Sequence, residues 1–310
     1  MEYNFQNKKI LVVGGGGFIG SRTVNALLQR GARVSIIDNL STGERSNIHP
    51  QAKFYNLSVA SDVVGDIIRD ERPEIIYLFS YFVLVPKSVE NPLLDFDCLA
   101  GFLKLLQVVK EIGVQKVIFA SSGFLYGNTS NLPAKETEPI SPISPYVISK
   151  SAFENYLRFY KSAFGIPYVI LRYAAVYGPR QRTGAMADYI RKLSIGEQAQ
   201  IWGDGTKTRD YVYIDDVIHA NLLALNVTND HSDPVFNVGT GQETTLNELY
   251  SKIAVFLDKK AEPVYLPDRP GEQMRYCLDY SKIREYLGWE PTVTLDEGLG
   301  KILTLHSGIL

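Results

Sequence analysis

The sequence predicts an α/β chain, with a doubly wound parallel sheet and a smaller α/β unit after it. Three observations lead there. From Lys9 to about Tyr173, short apolar runs alternate with longer stretches of helical periodicity. The runs are rich in Val, Ile and Tyr and apolar on both faces, as strands buried between two helical layers must be. After Tyr173 the rhythm loosens, and Pro, Gly and charged residues break up 178–210.

Taken in order, the runs at 10–13, 33–38, 53–56, 75–79, 116–120 and 168–173 are expected strands. Helices are expected between them at 20–30, 63–70 and 96–111. Such alternation makes βαβ units with right-handed crossovers. Further on, a strand-like 209–213 leads into a helix over 215–226, and another helix runs from Thr244 to about Leu257. Residues 1–174, with 211–239 returning to them, are therefore expected as one domain. Residues 175–310, mainly 175–210 and 240–310, form the second. No internal repeat or low-complexity linker parts them.

Composition narrows the function classes. At 45% hydrophobic and 21% charged, the 310 residues are those of a globular protein. A net charge of −2 gives no basic field, so neither nucleic acid nor an anionic membrane is an expected partner. No apolar run reaches the ~18 residues of a membrane span. The opening MEYNFQNKK has no secretory apolar core, and only Cys98 and Cys277 are present, so the cytoplasm is the expected compartment. His49, His219, His231 and His306 are scattered without ligand spacing, and no metal is expected.

The first expected strand ends in Gly14-Gly15-Gly16-Gly17-Phe18-Ile19-Gly20, and a helix follows. Glycines 14, 17 and 20 form G-x-x-G-x-x-G. A pyrophosphate at a helix N-terminus needs backbone N–H donors with no side chain in the way, and glycine permits that approach. The motif counts because it follows a strand and opens a helix. Asp38 closes the second strand, eighteen residues beyond Gly20. A carboxylate there accepts ribose hydroxyls and repels a 2′-phosphate, which favours NAD over NADP.

Tyr146 and Lys150 follow Ser144-Pro145, and Pro145 suits a helix start. Four residues apart on a helix, the two side chains share a face about 6 Å apart along the axis. A neighbouring ammonium is expected to lower the phenol from its usual value of about 10, making it a base for a hydroxyl proton. With 19 tyrosines the Tyr-x-x-x-Lys pattern arises about once by chance, so its context decides. Just upstream, the fifth strand ends in Ser121-Ser122-Gly123, where hydroxyls project from the carboxyl edge of a parallel sheet. Ser122, Tyr146 and Lys150 together would make a proton relay.

With these residues in place, the sequence resembles the extended short-chain dehydrogenase/reductases. Within them it is similar to the UDP-glucose (UDP-galactose) 4-epimerase-like branch of nucleotide-sugar epimerases and dehydratases. The resemblance spans nearly the whole chain. It is carried by 12–21, 38–43, 85–92, 121–127, 144–150 and 171–181, then by Gly203-Asp204-Gly205, 209–217, Asn237-Val238-Gly239, Arg269-Pro270-Gly271-Glu272 and Leu287-Gly288-Trp289. It implies a Rossmann-type NAD-binding domain and a substrate-binding C-terminal domain. Tyr146 would be the general base, Lys150 its electrostatic partner and ribose anchor, and Ser122 the hydroxyl that orders the sugar. Gly14, Gly17, Phe18, Ile19, Asp38, Asn39 and Thr42 would hold NAD, with Leu57, Phe79, Ser80 and Tyr173 beside it.

On the substrate side, Arg209 and Arg269 are implied to grip the diphosphate of a UDP-hexose, a task suited to planar guanidinium groups. Trp202 would lie near the uracil, and Tyr276 takes a position where bulk excludes N-acetylated sugars. Relatives dimerise through helices like 96–111 and 146–164, and Leu99, Leu103, Leu106, Phe153, Leu157 and Tyr160 offer an apolar stripe for a homodimer.

The sequence also departs from the family pattern. Asn56 replaces an Asp, Leu78-Phe79-Ser80-Tyr81 replaces His-Leu-Ala-Ala, and Leu84 replaces a Ser. Cys98 and Ala175 each replace an Asn, the second of which touches the substrate diphosphate in relatives. Dehydratases place Asp-Glu after the serine, where this chain has Gly123 and Phe124, which move no protons. Epimerisation through a transient 4-keto sugar, of the UDP-glucose/UDP-galactose type, is therefore the leading expectation. A ketoreductase, dehydrogenase or dehydratase of the same superfamily stays open, as does a catalytically silent NAD-binding sensor.

Overall fold

The computed structural model describes residues 3–79, 85–260 and 262–307. In chain order the first half runs β1 (Lys9–Val13), α1 (Phe18–Gln29), β2 (Arg33–Ile37), β3 (Lys53–Tyr55), α2 (Val64–Glu71), β4 (Ile75–Leu78), α3 (Val85–Glu90), α4 (Leu93–Ile112), β5 (Lys116–Ser122), α5 (Pro145–Phe164) and β6 (Tyr168–Tyr173). There follow β7 (Ala175–Tyr177), α6 (Ala185–Ser194), β8 (Gln200–Trp202), β9 (Thr208–Arg209), β10 (Tyr211–Tyr213), α7 (Ile214–Leu223), β11 (Val235–Val238), β12 (Thr244–Thr245), α8 (Leu246–Phe256) and β13 (Val264–Leu266).

The main sheet has seven strands in the order β11-β6-β5-β4-β1-β2-β3, paired in parallel throughout. Alternate residues of one strand feed two separate cores. Ile10 and Val12 of β1 join Val24 and Leu27 of α1 and Val217 of α7, while Leu11 and Val13 join Leu105 and Val109 of α4 and Phe153 and Leu157 of α5. Strands apolar on both faces therefore carry helices on both faces, which is the expected Rossmann-type arrangement. The chain moves outward from β1 to β3 and then returns to β4 on the other side of β1. The crevice at the carboxyl ends of β1 and β4 is the switch point where such sheets bind ligands.

Several elements differ from the sequence expectation. Strand β5 continues through Ser121 and Ser122, so both serines are held by the sheet. The run 209–213 divides into β9, antiparallel to β12, and β10, parallel to β7. Asp210 between them causes the break. It is fully buried, and its carboxylate accepts from Thr240 N and Oγ1, Gly241 N and Leu278 N at 2.6–3.2 Å. The β8–β13 pair has no counterpart in the sequence reading.

The apolar stripe is mostly core. Leu106, Phe153, Leu157 and Tyr160 are buried beneath α4 and α5, and Leu99 and Leu103 are half-buried. The stripe faces the sheet. The large apolar side chains exposed on these two helices are Leu93, Phe96, Ile148, Tyr156, Phe159 and Phe164.

Candidate active site

The carboxyl edge of the sheet opens into a cavity of about 790 Å³. Its first end is made by the glycine turn. Gly14 N donates to Ile37 O at 2.8 Å, and Gly17 N donates back to Gly14 O at 3.2 Å, folding the chain sharply after β1. Helix α1 then starts at Phe18 with Gly17 as its cap and no side chain on its first-turn N–H groups. Those donors, at the positive end of the helix, line the cavity with Gly17, Phe18 and Ile19. Gly20 is fixed by contact, since a Cβ there would lie 2.0 Å from Gly14 O.

Asp38 follows β2 and is almost wholly buried. Its Oδ2 accepts Gly16 N at 2.8 Å and its Oδ1 accepts Leu40 N at 2.7 Å, which orients the carboxylate. Each oxygen keeps a further lone pair for a ribose hydroxyl. Asn39, Thr42, Phe79 and Tyr173 line the cavity too. Leu57 does not: its N–H is tied to Asp38 O, and Ser58, Val59 and Ala60 form that stretch of wall. Ser80 and Leu84 lie outside the described residues. Uncapped helix donors at one point of the cavity and an oriented carboxylate at another suit a dinucleotide.

Ser122, Tyr146 and Lys150 meet midway along the same cavity. Ser122 Oγ accepts Phe124 N at 3.2 Å, capping the tight turn Gly123–Tyr126, and is hydrogen-bonded to the Tyr146 phenol. Ser144 caps α5, Pro145 occupies its first turn, and Tyr146 and Lys150 follow on one face. Lys150 Nζ donates to Ala120 O and lies 5.8 Å from the Tyr146 ring centroid.

The electrostatics correct one expectation. Burial pushes the Tyr146 phenol up to about 12, partly offset by the Ser122 hydrogen bond, where lowering by Lys150 was expected. Burial also brings the Lys150 ammonium down to about 7, against the pull of Cys98, Glu154 and Asp95. Sequence spacing brought the two groups together, but the loss of water around both dominates over their attraction. At neutral pH the amine is therefore partly in its free-base form.

A buried ion pair stands behind this cluster. Arg172 of β6 holds Glu154 of α5 with two hydrogen bonds, at 2.7 and 3.0 Å. Ser121 Oγ donates to the same carboxylate at 2.6 Å, and Arg172 also reaches the Tyr126 hydroxyl at 2.9 Å. Strand β5, helix α5 and strand β6 are thereby pinned together just beneath the reacting groups.

The far wall carries Trp202, Arg209, Arg269 and Tyr276, all lining the cavity. The Arg269 guanidinium lies 3.5 Å from the Trp202 ring centroid. Arg209 donates to Thr208 O and Gln273 O at 2.7 and 3.0 Å. Buried Lys207 bridges Asp268 and Glu272, both at 2.8 Å, and so clasps the loop that presents Arg269. Ala175 and Cys98 line the cavity as well. Four further cations that the sequence reading missed also line the cavity, Arg180, Arg182, Arg191 and Lys192. The signal available was Arg180-Gln181-Arg182 directly after Gly178-Pro179. Arg182 pairs with Glu44 on the opposite lip.

Residues 10–239 match the model of the NAD dependent epimerase/dehydratase family. The chain belongs to that family. The UDP-glucose 4-epimerase of Mycolicibacterium smegmatis is 36% identical, over 94% of this chain and 96% of its own length. Among solved structures, the UDP-glucose 4-epimerase of Thermotoga maritima, determined with UDP-glucose, superposes with a TM-score of 0.93 at 40% identity, over 97% of this chain and 99% of that one. The Thermus thermophilus UDP-glucose 4-epimerase, in complex with NAD, gives 0.91 at 36% identity with the same coverage. As a member of that family, the chain uses NAD. No described helix is long and apolar enough to cross a membrane.

Proposed function

We propose that this protein is an NAD-dependent UDP-glucose 4-epimerase, interconverting UDP-glucose and UDP-galactose. One observation carries the reading. A phenol, an amine and a hydroxyl meet at Tyr146, Lys150 and Ser122, between a dinucleotide-fitting half-cavity and a cation-rich one. The relatives named above share that activity over nearly their whole length. Next to Ser122 stand Gly123 and Phe124, which offer neither acid nor base for elimination, so dehydration is disfavoured.

The chain's residues divide the work. Bound NAD would supply the hydride acceptor, held by the α1 donors, Asp38 and Lys150. Once the Tyr146–Lys150 pair has lost one proton, it reaches phenolate beside ammonium as its minor tautomer, because the buried phenol is the weaker acid of the two. The phenolate then removes the proton of the sugar C4 hydroxyl as that carbon is oxidised, while Ser122 keeps the oxygen in line. Tyr146 later returns the proton to the 4-keto oxygen, after the sugar has turned over. Arg209 and Arg269 hold the diphosphate, so the sugar turns without leaving. The cluster thus acts as base and then as acid, and the net redox change is zero.

We further place the protein in the cytoplasm, in keeping with its low cysteine content, and read it as a homodimer. The exposed side chains of Phe96, Ile148, Tyr156 and Phe159 on α4 and α5 support a dimer contact through those helices. Purified protein given UDP-galactose should form UDP-glucose with no net change in absorbance at 340 nm. A stoichiometric rise at 340 nm would establish a net oxidoreductase instead. Absence of both, with cofactor bound, would overturn the enzymatic reading for these sugars.

A further inference from the structure

Where a sugar would meet Ser122 and Tyr146, the adjoining wall is aromatic. Phe124 borders the cavity two residues after Ser122. Its ring lies flat on that of Tyr276, with centroids 4.9 Å apart and planes within 2°. The Arg209 guanidinium stands 5.7 Å from the Phe124 ring centroid. The Tyr276 ring, on which Phe124 rests, is held in place. Tyr276 is 2% exposed, and its hydroxyl donates to the Tyr173 carbonyl. Beneath it, a Cβ on Gly123 would lie 2.6 Å from the Tyr276 hydroxyl and 2.6 Å from Leu278 Cδ2, so the stack is seated on bare backbone.

This wall has a chemical consequence. A sugar hydroxyl facing Ser122, Tyr146 or an arginine finds a partner on binding. One facing Phe124 finds none, because the phenylalanine has no polar atom and the Tyr276 hydroxyl is already committed. Such a hydroxyl leaves water without replacement, which costs free energy. A site that hydrogen-bonds a hydroxyl rejects the analogue lacking it, whereas an apolar wall does not.

We infer that Phe124, locked by Tyr276 and Gly123, is a specificity-determining residue. The substrate range extends to nucleotide hexoses that lack the one hydroxyl meeting this wall. The inference rests on the epimerase reading and adds a deoxy-hexose class to it.

A deoxy scan tests it. UDP-glucose and its 2-deoxy, 3-deoxy and 6-deoxy analogues are assayed for C4 epimerisation. One analogue should keep kcat/KM within about threefold of UDP-glucose, while the others fall about tenfold or more, as expected when a bound hydroxyl is removed. The tolerated position should depend on Phe124. Phe124→Ser, which places a hydroxyl on the wall, should restore at least about fivefold preference for the full hexose over that analogue. Phe124→Leu, apolar but not aromatic, should leave the tolerance in place, and it guards against a Ser variant that fails to fold. Loss of about tenfold for all three analogues, or an unchanged ranking in Phe124→Ser, would overturn the inference. If UDP-glucose itself is not epimerised while NAD is bound, the epimerase reading fails instead.

Discussion

Ser122, Tyr146 and Lys150 stand on a seven-residue strand and a twenty-residue helix, whereas Trp202 and Arg209 stand on strands of three and two residues. The first group is braced from behind by Glu154 and Arg172, an ion pair out of contact with water and joined by two hydrogen bonds. The second is held at points. Lys207 clasps the Arg269 loop, Arg275 pairs with Glu243, and Asp210 gathers the backbone of residues 240, 241 and 278. The difference follows from the tasks. Proton transfer needs atoms placed to a fraction of an ångström, which long packed elements provide. Recognition tolerates a looser frame, and loops on a fixed scaffold allow it to vary. Changes to the first group should therefore appear in kcat, and changes to the second in KM or substrate preference.

The sharpest break would come from the phenol. Tyr146→Phe keeps the ring and its packing, so fold and NAD content should persist while kcat falls by about 10²–10⁴. A variant within threefold of wild type would remove the base from the account. Next comes the brace. Glu154→Gln leaves Arg172 charged and without its ion pair in the interior, and denaturant unfolding should show a loss of about 3–5 kcal/mol. A loss below about 1 kcal/mol would mean that the first group owes its rigidity to packing alone.

A smaller effect is expected on the far wall. Lys207→Met frees the Arg269 loop from both carboxylates and should raise KM for UDP-galactose about tenfold, with kcat within twofold. A fall in kcat at constant KM would erase the distinction between the two sides. The mildest test is pH. The Lys150 ammonium is lowered to about 7 by burial, so above that pH the Tyr146–Lys150 pair has lost the one proton from which its phenolate tautomer can form. Turnover should rise through neutrality and level off by about pH 8. The residual activity of Lys150→Met should lack that rise, and a wild-type rate that falls between pH 6 and 8 would reverse the assigned roles.

How much of this was legible in the sequence depended on the range of the interactions. The glycine turn, Asp38 and the Tyr146–Lys150 pair are local signals, set by spacing along one strand or one helix. The far wall was legible only through short motifs around Arg209 and Arg269. Tertiary features were not. Asp210 splits a predicted strand because residues from 240 to 278 converge on it. The β8–β13 pair joins segments about sixty residues apart, and Arg180 and Arg182 enter the site by the course of a loop. The direction of the Tyr146 shift was missed for the same reason, since burial is set by everything that packs around a group.

The claim on which all else depends is that Tyr146 and its neighbours move protons while the hydrogen on C4 never leaves the cavity. UDP-galactose carrying deuterium at C4, converted in ordinary water, puts it to a direct test. The account predicts UDP-glucose that retains the deuterium at C4. Product with protium at that carbon would contradict it.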